Sequence, residues 1–83
     1  MPKIIFSKHA RYQLKERNIS EREIRKSIEN PDKILKQSPQ RFRLIKEIKR
    51  AGRSYILIVI FEQKNSFKEI ITAFITSKVK KYL

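Results

Sequence analysis

The chain contains no cysteine. It can form no disulfide and offers no thiolate to a metal. It has one glycine, Gly52, so there is neither a glycine loop to cradle a phosphate nor a serine in a strained glycine elbow. It has one histidine, His9, and eight acidic residues scattered along its length. A carboxylate or imidazole metal site needs several such groups in register; no metal and no cofactor are expected. No apolar stretch approaches the ~18 residues of a membrane span, and no membrane partner is expected. Residues 1–6 are too short for a secretory signal, which makes a cytoplasmic location the expectation.

What the chain does have is positive charge. Twenty-one Lys and Arg face eight Asp and Glu, for a net charge of +13 over 83 residues. A self-repelling cation of this size is usually balanced by a polyanion. Nucleic acid is the first candidate and an acidic protein the second. Anionic membrane is third, because no long helix sets a basic face against a continuous apolar one. The plain alternative is a merely basic protein whose Lys and Ile content reflects genome composition or a hot habitat. The length fits a single domain, 1–83, and the hydrophobic fraction of 40% suffices for one modest core.

Lys3-Ile4-Ile5-Phe6 reads as a short strand. Ser7 caps a first helix over about 8–18, with Ala10, Leu14 and Arg17 on one stripe and His9 and Gln13 on its flank. Lys8, Arg11 and Lys15 point away. Ser20 and Glu23 form a capping box for a second helix over about 21–30, with Ile24 and Ile28 as its core pair; Asn30-Pro31 stops it. The remainder reads as sheet: a weak strand over 33–37, a strand over 41–49, a hairpin turn Arg50-Ala51-Gly52-Arg53, a strand over 54–62, and a last long strand over 67–76. The strand over 54–62 is apolar on both sides, so it is central and covered on both faces. Two short helices cover one face only. The tail, with Val79 and Leu83, is expected to cover part of the second; any remainder is either hidden by strong sheet curvature or an apolar patch that marks a partner site or a homodimer contact.

Cleaving RNA without a metal requires a proton taken from the 2′-OH, a proton given to the leaving 5′-oxygen, stabilised phosphate charge and an in-line geometry. His9 is the one side chain that titrates near neutral pH unperturbed; the alternative is a capping or packing histidine. Arg17 lies on an inward stripe and must reach a cleft or a carboxylate, the alternative being a salt bridge to Glu16, Glu21 or Glu23. Thr76, Ser77, Lys78, Lys81 and Tyr82 form a polar, basic, aromatic tail, or else an ordinary frayed end. Arg41, Arg43, Arg50 and Arg53 read as a phosphate-tracking patch, joined by Lys8, Arg11 and Lys78, or as a solvated edge and turn. Tyr12 is an exposed ring that could stack on a base.

Phe6-Ser7-Lys8-His9-Ala10, Glu16-Arg17-Asn18-Ile19-Ser20, Ile28-Glu29-Asn30-Pro31 and the run Ile71 to Tyr82 together resemble a family of small prokaryotic proteins placed with the RelE/ParE-like toxins, in the wider group of barnase-, colicin- and RelE-like ribonucleases. The resemblance spans nearly the whole chain. It implies an α+β fold in which one or two N-terminal helices pack on a twisted antiparallel sheet of about four strands. It implies the toxin of a type II toxin–antitoxin pair, a metal-independent ribonuclease acting on RNA and neutralised by an acidic antitoxin protein. Carried over residue by residue, His9, Arg17, Thr76, Ser77, Lys81 and Tyr82 would line the site. Some members of that group act on gyrase and cut no RNA, so a gyrase-directed toxin and a non-catalytic basic RNA- or DNA-binding module stand as the alternatives.

Overall fold

The computed structural model describes residues 3–83. Its elements are β1 (Lys3–Phe6), α1 (Lys8–Glu16), α2 (Glu21–Glu29), β2 (Lys33–Lys36), β3 (Arg41–Arg50), β4 (Arg53–Gln63), β5 (Phe67–Thr76) and α3 (Val79–Tyr82). The strands form one sheet in the order β1-β5-β4-β3-β2.

Local chemistry sets the helix ends. The Ser7 hydroxyl accepts the Ala10 N–H at 3.0 Å and starts α1. Asn18 takes a left-handed conformation, φ 56°, just past its end. From there the Asn18 N–H reaches the Lys15 carbonyl (3.3 Å) and the Ile19 N–H reaches the Leu14 carbonyl (2.8 Å). Those two bonds close a Schellman motif, with the contact between buried Ile19 and Leu14 as its hydrophobic partner. The capping box at α2 is complete: the Glu23 N–H donates to Ser20 Oγ and the Ser20 N–H to Glu23 Oε1. The β3–β4 hairpin turns through Ala51 (φ 52°) and Gly52 (φ 77°), two successive positive values that a two-residue hairpin loop requires.

The sheet separates two apolar clusters. On one face Leu44, Leu57, Val59, Phe61, Ile70 and Ala73 pack under Phe6, Ala10, Leu14, Ile19 and Ile24; this is the helix face. On the other, Ile45, Ile56 and Ile58 are covered by Val79 and Tyr82 of the C-terminal turn, with Ile60 and Phe74 beside them. β4 is thus the central strand expected, apolar on both sides. A bulge lets β5 serve both faces. Ile60 pairs with Thr72 but Phe61 pairs with Ile70, so Ile71 is an extra residue. The phase shift turns both Ile70 and Ala73, three apart, toward the helices.

The four-stranded antiparallel sheet expected from the sequence is not the sheet observed. There are five strands and the sheet is mixed, because β1 pairs parallel with β5, Lys3 to Phe67 through Phe6 to Ile70. The physical reason is distance along the chain. Hairpins fix the antiparallel order β2-β3-β4-β5, but two helices and three strands separate β1 from β5, and no turn signal dictates how those two meet. The tail also differs. Residues 79–82 form the short helix α3 rather than a frayed end, its Val79 and Tyr82 turned to the sheet while Leu83 stays exposed. Among the described residues, no helix is long and apolar enough to cross a membrane.

Candidate nucleic-acid interface

Strand alternation distributes the arginines. In β3, Phe42, Leu44 and Ile48 belong to the helix-face core, so Arg41, Arg43 and Ile45 turn to the other face, called the open face below. Arg50 therefore turns to the helices, and Arg53, its cross-strand partner, does the same while staying exposed. The four arginines expected to form one patch are split between two sides of the sheet.

Their partners differ accordingly. Arg50 donates to both Glu23 oxygens at 2.9 Å and to the Asn18 carbonyl at 2.9 Å, tying the β3–β4 hairpin to the start of α2. Partial burial raises the Glu23 pKa, but the Ser20 backbone N–H, the Arg50 guanidinium and the Ser20 hydroxyl outweigh it and hold the carboxyl below its usual range. Arg41 grips Glu62 through Nη2 at 2.7 Å and Nε at 3.2 Å, and Lys64 reaches the same carboxylate at 3.1 Å. The Arg41 hydrogen bond, then that of Lys64, lowers the Glu62 pKa.

Arg43 is different. It stands on the open face between its cross-strand neighbours Leu35 and Ile60. Its Nε is buried and has no hydrogen-bond partner among the described residues. Its same-face neighbour along β3 is Ile45, part of the cluster that Tyr82 packs on. Above that cluster the tail presents exposed Lys78, Lys80 and Lys81, with Lys81 Nζ 5.6 Å from the centre of the half-buried Tyr82 ring. The open face thus carries a guanidinium whose Nε has no partner among the described residues, an aromatic ring with a hydroxyl, and a rim of lysines.

The other expected site residues go elsewhere. Thr76 Oγ1 accepts the Lys78 N–H at 3.2 Å, and exposed Ser77 gives its carbonyl to the Val79 N–H at 2.9 Å; both shape the turn into α3. Arg17 Nη1 donates to the Ala73 carbonyl at 2.8 Å and to Thr72 Oγ1 at 3.2 Å, and Thr72 also bonds Gln13. Arg17 and Gln13 therefore close the outer edge of β5 where β1 has ended. Neither a cleft nor one of the acids expected for Arg17 is involved. His9 is exposed in the first turn of α1, beside Lys8 and near Arg11, which pairs with Glu21 at 3.5 Å. The start of α1 is held at Ile70 by the Ser7 hydroxyl. Ile70 precedes Thr76 by six residues of β5, roughly 20 Å of strand at ~3.3 Å per residue. The tail then folds over β4, away from α1. The structure brings Arg43, Lys78, Lys81 and Tyr82 to one face, and it does not bring His9 or Arg17 to them.

Two surface grooves, of about 370 and 460 Å³, run along α2 on the helix face and share Glu23. Of the expected site residues they include only Arg50, already bound to Glu23. The special position of Arg43 was half legible in the sequence. The parity of Phe42 and Leu44 puts it opposite the helices, whereas the lack of a facing carboxylate depends on the register of β2 and β4.

A family model described as Domain of unknown function (DUF4258) matches residues 6–75, most of the chain, and the chain belongs to that family. No curated protein matches it, and no solved structure does.

Proposed function

We propose that this DUF4258 chain binds single-stranded RNA across the open face of its sheet, in the cytoplasm, with Arg43 gripping a backbone phosphate and Lys78, Lys81 and Tyr82 forming the rim. The supporting observation is the buried Arg43 Nε without a hydrogen-bond partner among the described residues. A buried donor left unsatisfied costs about 1–3 kcal/mol. A side chain that swings outward to a phosphate escapes that cost and gains charge-assisted bonds. Arg50 and Arg17 have given the same capacity to Glu23 and to the Ala73 carbonyl. Tyr82 adds a ring on which a base can stack.

The test is fluorescence anisotropy with a short single-stranded RNA as salt is varied. With about five phosphate contacts the log–log slope is about −3.5. Arg43→Gln lowers the affinity about tenfold, the range of one lost charge-assisted bond. Arg50→Ala leaves the slope unchanged, because its guanidinium is already occupied. A salt-independent affinity, or an Arg43→Gln variant that binds like the wild type, overturns the reading.

A second reading goes further: a metal-independent endoribonuclease toxin held by an acidic antitoxin. It is favoured by Arg43 and Tyr82 sharing one face. In such a reaction the 2′-oxygen bonds to phosphorus as its proton passes to solvent, the P–O5′ bond breaks, and the Tyr82 hydroxyl protonates the leaving 5′-oxygen. Arg43 stabilises the phosphate oxygens. The product is a 2′,3′-cyclic phosphate, formed in EDTA. Tyr82→Phe abolishes cleavage and His9→Ala leaves it unchanged. RNA that stays intact while it binds leaves the non-catalytic module.

A further inference from the structure

β2 ends the sheet, with β3 as its one neighbour. All four of its residues, Lys33-Ile34-Leu35-Lys36, are exposed, Ile34 by 47% and Leu35 by 37%. The Gln37 N–H donates to the Arg41 carbonyl at 2.8 Å. In an antiparallel ladder this makes Leu35–Arg43 the next bonded pair, so Ile34 and Lys36 turn their N–H and C=O groups outward. Their side chains lie on the helix face, and those of Lys33 and Leu35 on the open face. Among the described residues, neither Lys33 nor Lys36 has a salt bridge. Asp32, the acid next to Lys33 in sequence, is engaged by the Glu47 N–H at 2.7 Å and by Lys46 at 3.7 Å.

We propose that β2 is a docking edge for an extended acidic segment of a partner protein, which adds antiparallel to the sheet. The segment carries acid, apolar, apolar, acid opposite Lys33, Ile34, Leu35 and Lys36. Main-chain bonds to Ile34 and Lys36 give it register. Its two acids meet the two unpaired lysines on opposite faces, and its two apolar side chains cover the exposed Ile34 and Leu35. Lysines at an open edge repel further basic strands. Two copies of this chain, each of net charge +13, repel and would set lysine against lysine at the edge. The same lysines select an acidic strand. The inference stands apart from the RNA reading, whose anchor is Arg43.

The experiment is a titration of ¹⁵N-labelled full-length chain with a capped peptide of core Glu-Ile-Val-Glu between Gly-Ser flanks, against a control of core Lys-Ile-Val-Lys. The acidic peptide shifts the β2 and β3 amides and slows hydrogen exchange at the Ile34 and Lys36 N–H about tenfold when present at ten times its Kd. The basic peptide does neither. A double variant, Lys33→Glu with Lys36→Glu, reverses the preference. Equal binding of both peptides, shifts centred on Tyr82 and the lysines of the tail, or no shift at millimolar peptide overturns the proposal. So does concentration-dependent protection of Ile34 and Lys36 in the chain alone, which would make the occupant a second copy.

Discussion

The two faces of the sheet are finished in different ways. The helix face is sealed by two nine-residue helices, and its polar groups have become structure: Arg50 joins the β3–β4 hairpin to the capping box of α2, and Arg17 closes the edge of β5. The open face is covered by the four residues of α3, and Arg43 there keeps a buried Nε without a partner among the described residues. Total charge therefore says less about binding than the way each cation is satisfied. A paired arginine stiffens the fold, whereas a partnerless one retains an unmet demand for an anion.

Large-to-small substitutions give the widest separation of the two faces. Leu57, fully buried toward the helices, should lose about 2–5 kcal/mol as Leu57→Ala. Ile60, half-buried on the open face, should lose only ~1 kcal/mol as Ile60→Ala, because solvent already reaches it. Urea unfolding measures both. Equal losses would mean that Ile60 is as closed to solvent as Ile56 and Ile58 beside it, and would remove the case for a ligand over it.

Arg43→Met sharpens the contrast from the other side. It keeps aliphatic contact with Leu35 and Ile60 and removes the unsatisfied N–H. The variant should be as stable as the wild type, or more stable by up to ~1 kcal/mol, while its RNA affinity falls. A residue whose loss costs binding and spares stability is what a ligand site predicts. A loss near 2 kcal/mol in thermal unfolding would instead mean that Arg43 holds the fold.

Much of this division was legible in the sequence, and the rest was not for definite reasons. The capping box at Ser20 and Glu23, the Gly52 turn and the doubly apolar β4 follow from neighbours within a few residues, and all are present. The parallel pairing of β1 with β5 joins the two ends of the chain, where no local signal acts. The bulge at Ile71 shifts the phase of β5 without leaving a mark in its composition. α3 was hidden because Lys78, Lys80 and Lys81 dominate its reading, while Val79 and Tyr82, three apart, carry its packing. For the site, residue types were readable and their meeting was not. His9 and the tail are each suited to proton chemistry, but the level of Ile70 at which α1 begins keeps them apart.

The smallest expected effect tests whether the helix-face charges are structural, and it does so through pH. The folded-state pKa of Glu23 is lowered, since its bonds to Ser20 and Arg50 outweigh the cost of partial burial. A depressed carboxyl contributes stability that is fully present above its unfolded value, about 4.3, and is lost as pH falls through the lower folded value. Near pH 7, Glu23→Gln keeps an oxygen for the Ser20 N–H but loses the charge that faces Arg50, and should therefore be less stable than the wild type by up to about 1 kcal/mol, the range of a partly exposed ion pair. The gap should close from about pH 5 downward and vanish once Glu23 is protonated in both states. Glu62 is lowered in the same direction and is partly exposed beside Arg41 and Lys64, but it belongs to no helix cap, so Glu62→Gln should follow the same pH course with a smaller gap. Unfolding curves for Glu23→Gln and wild type that run parallel from pH 3 to 7 would mean that Arg50 is not held by Glu23. Arg50 would then return to the pool of cations available to RNA, and the contrast between the two faces would weaken at the residue where it is drawn most clearly.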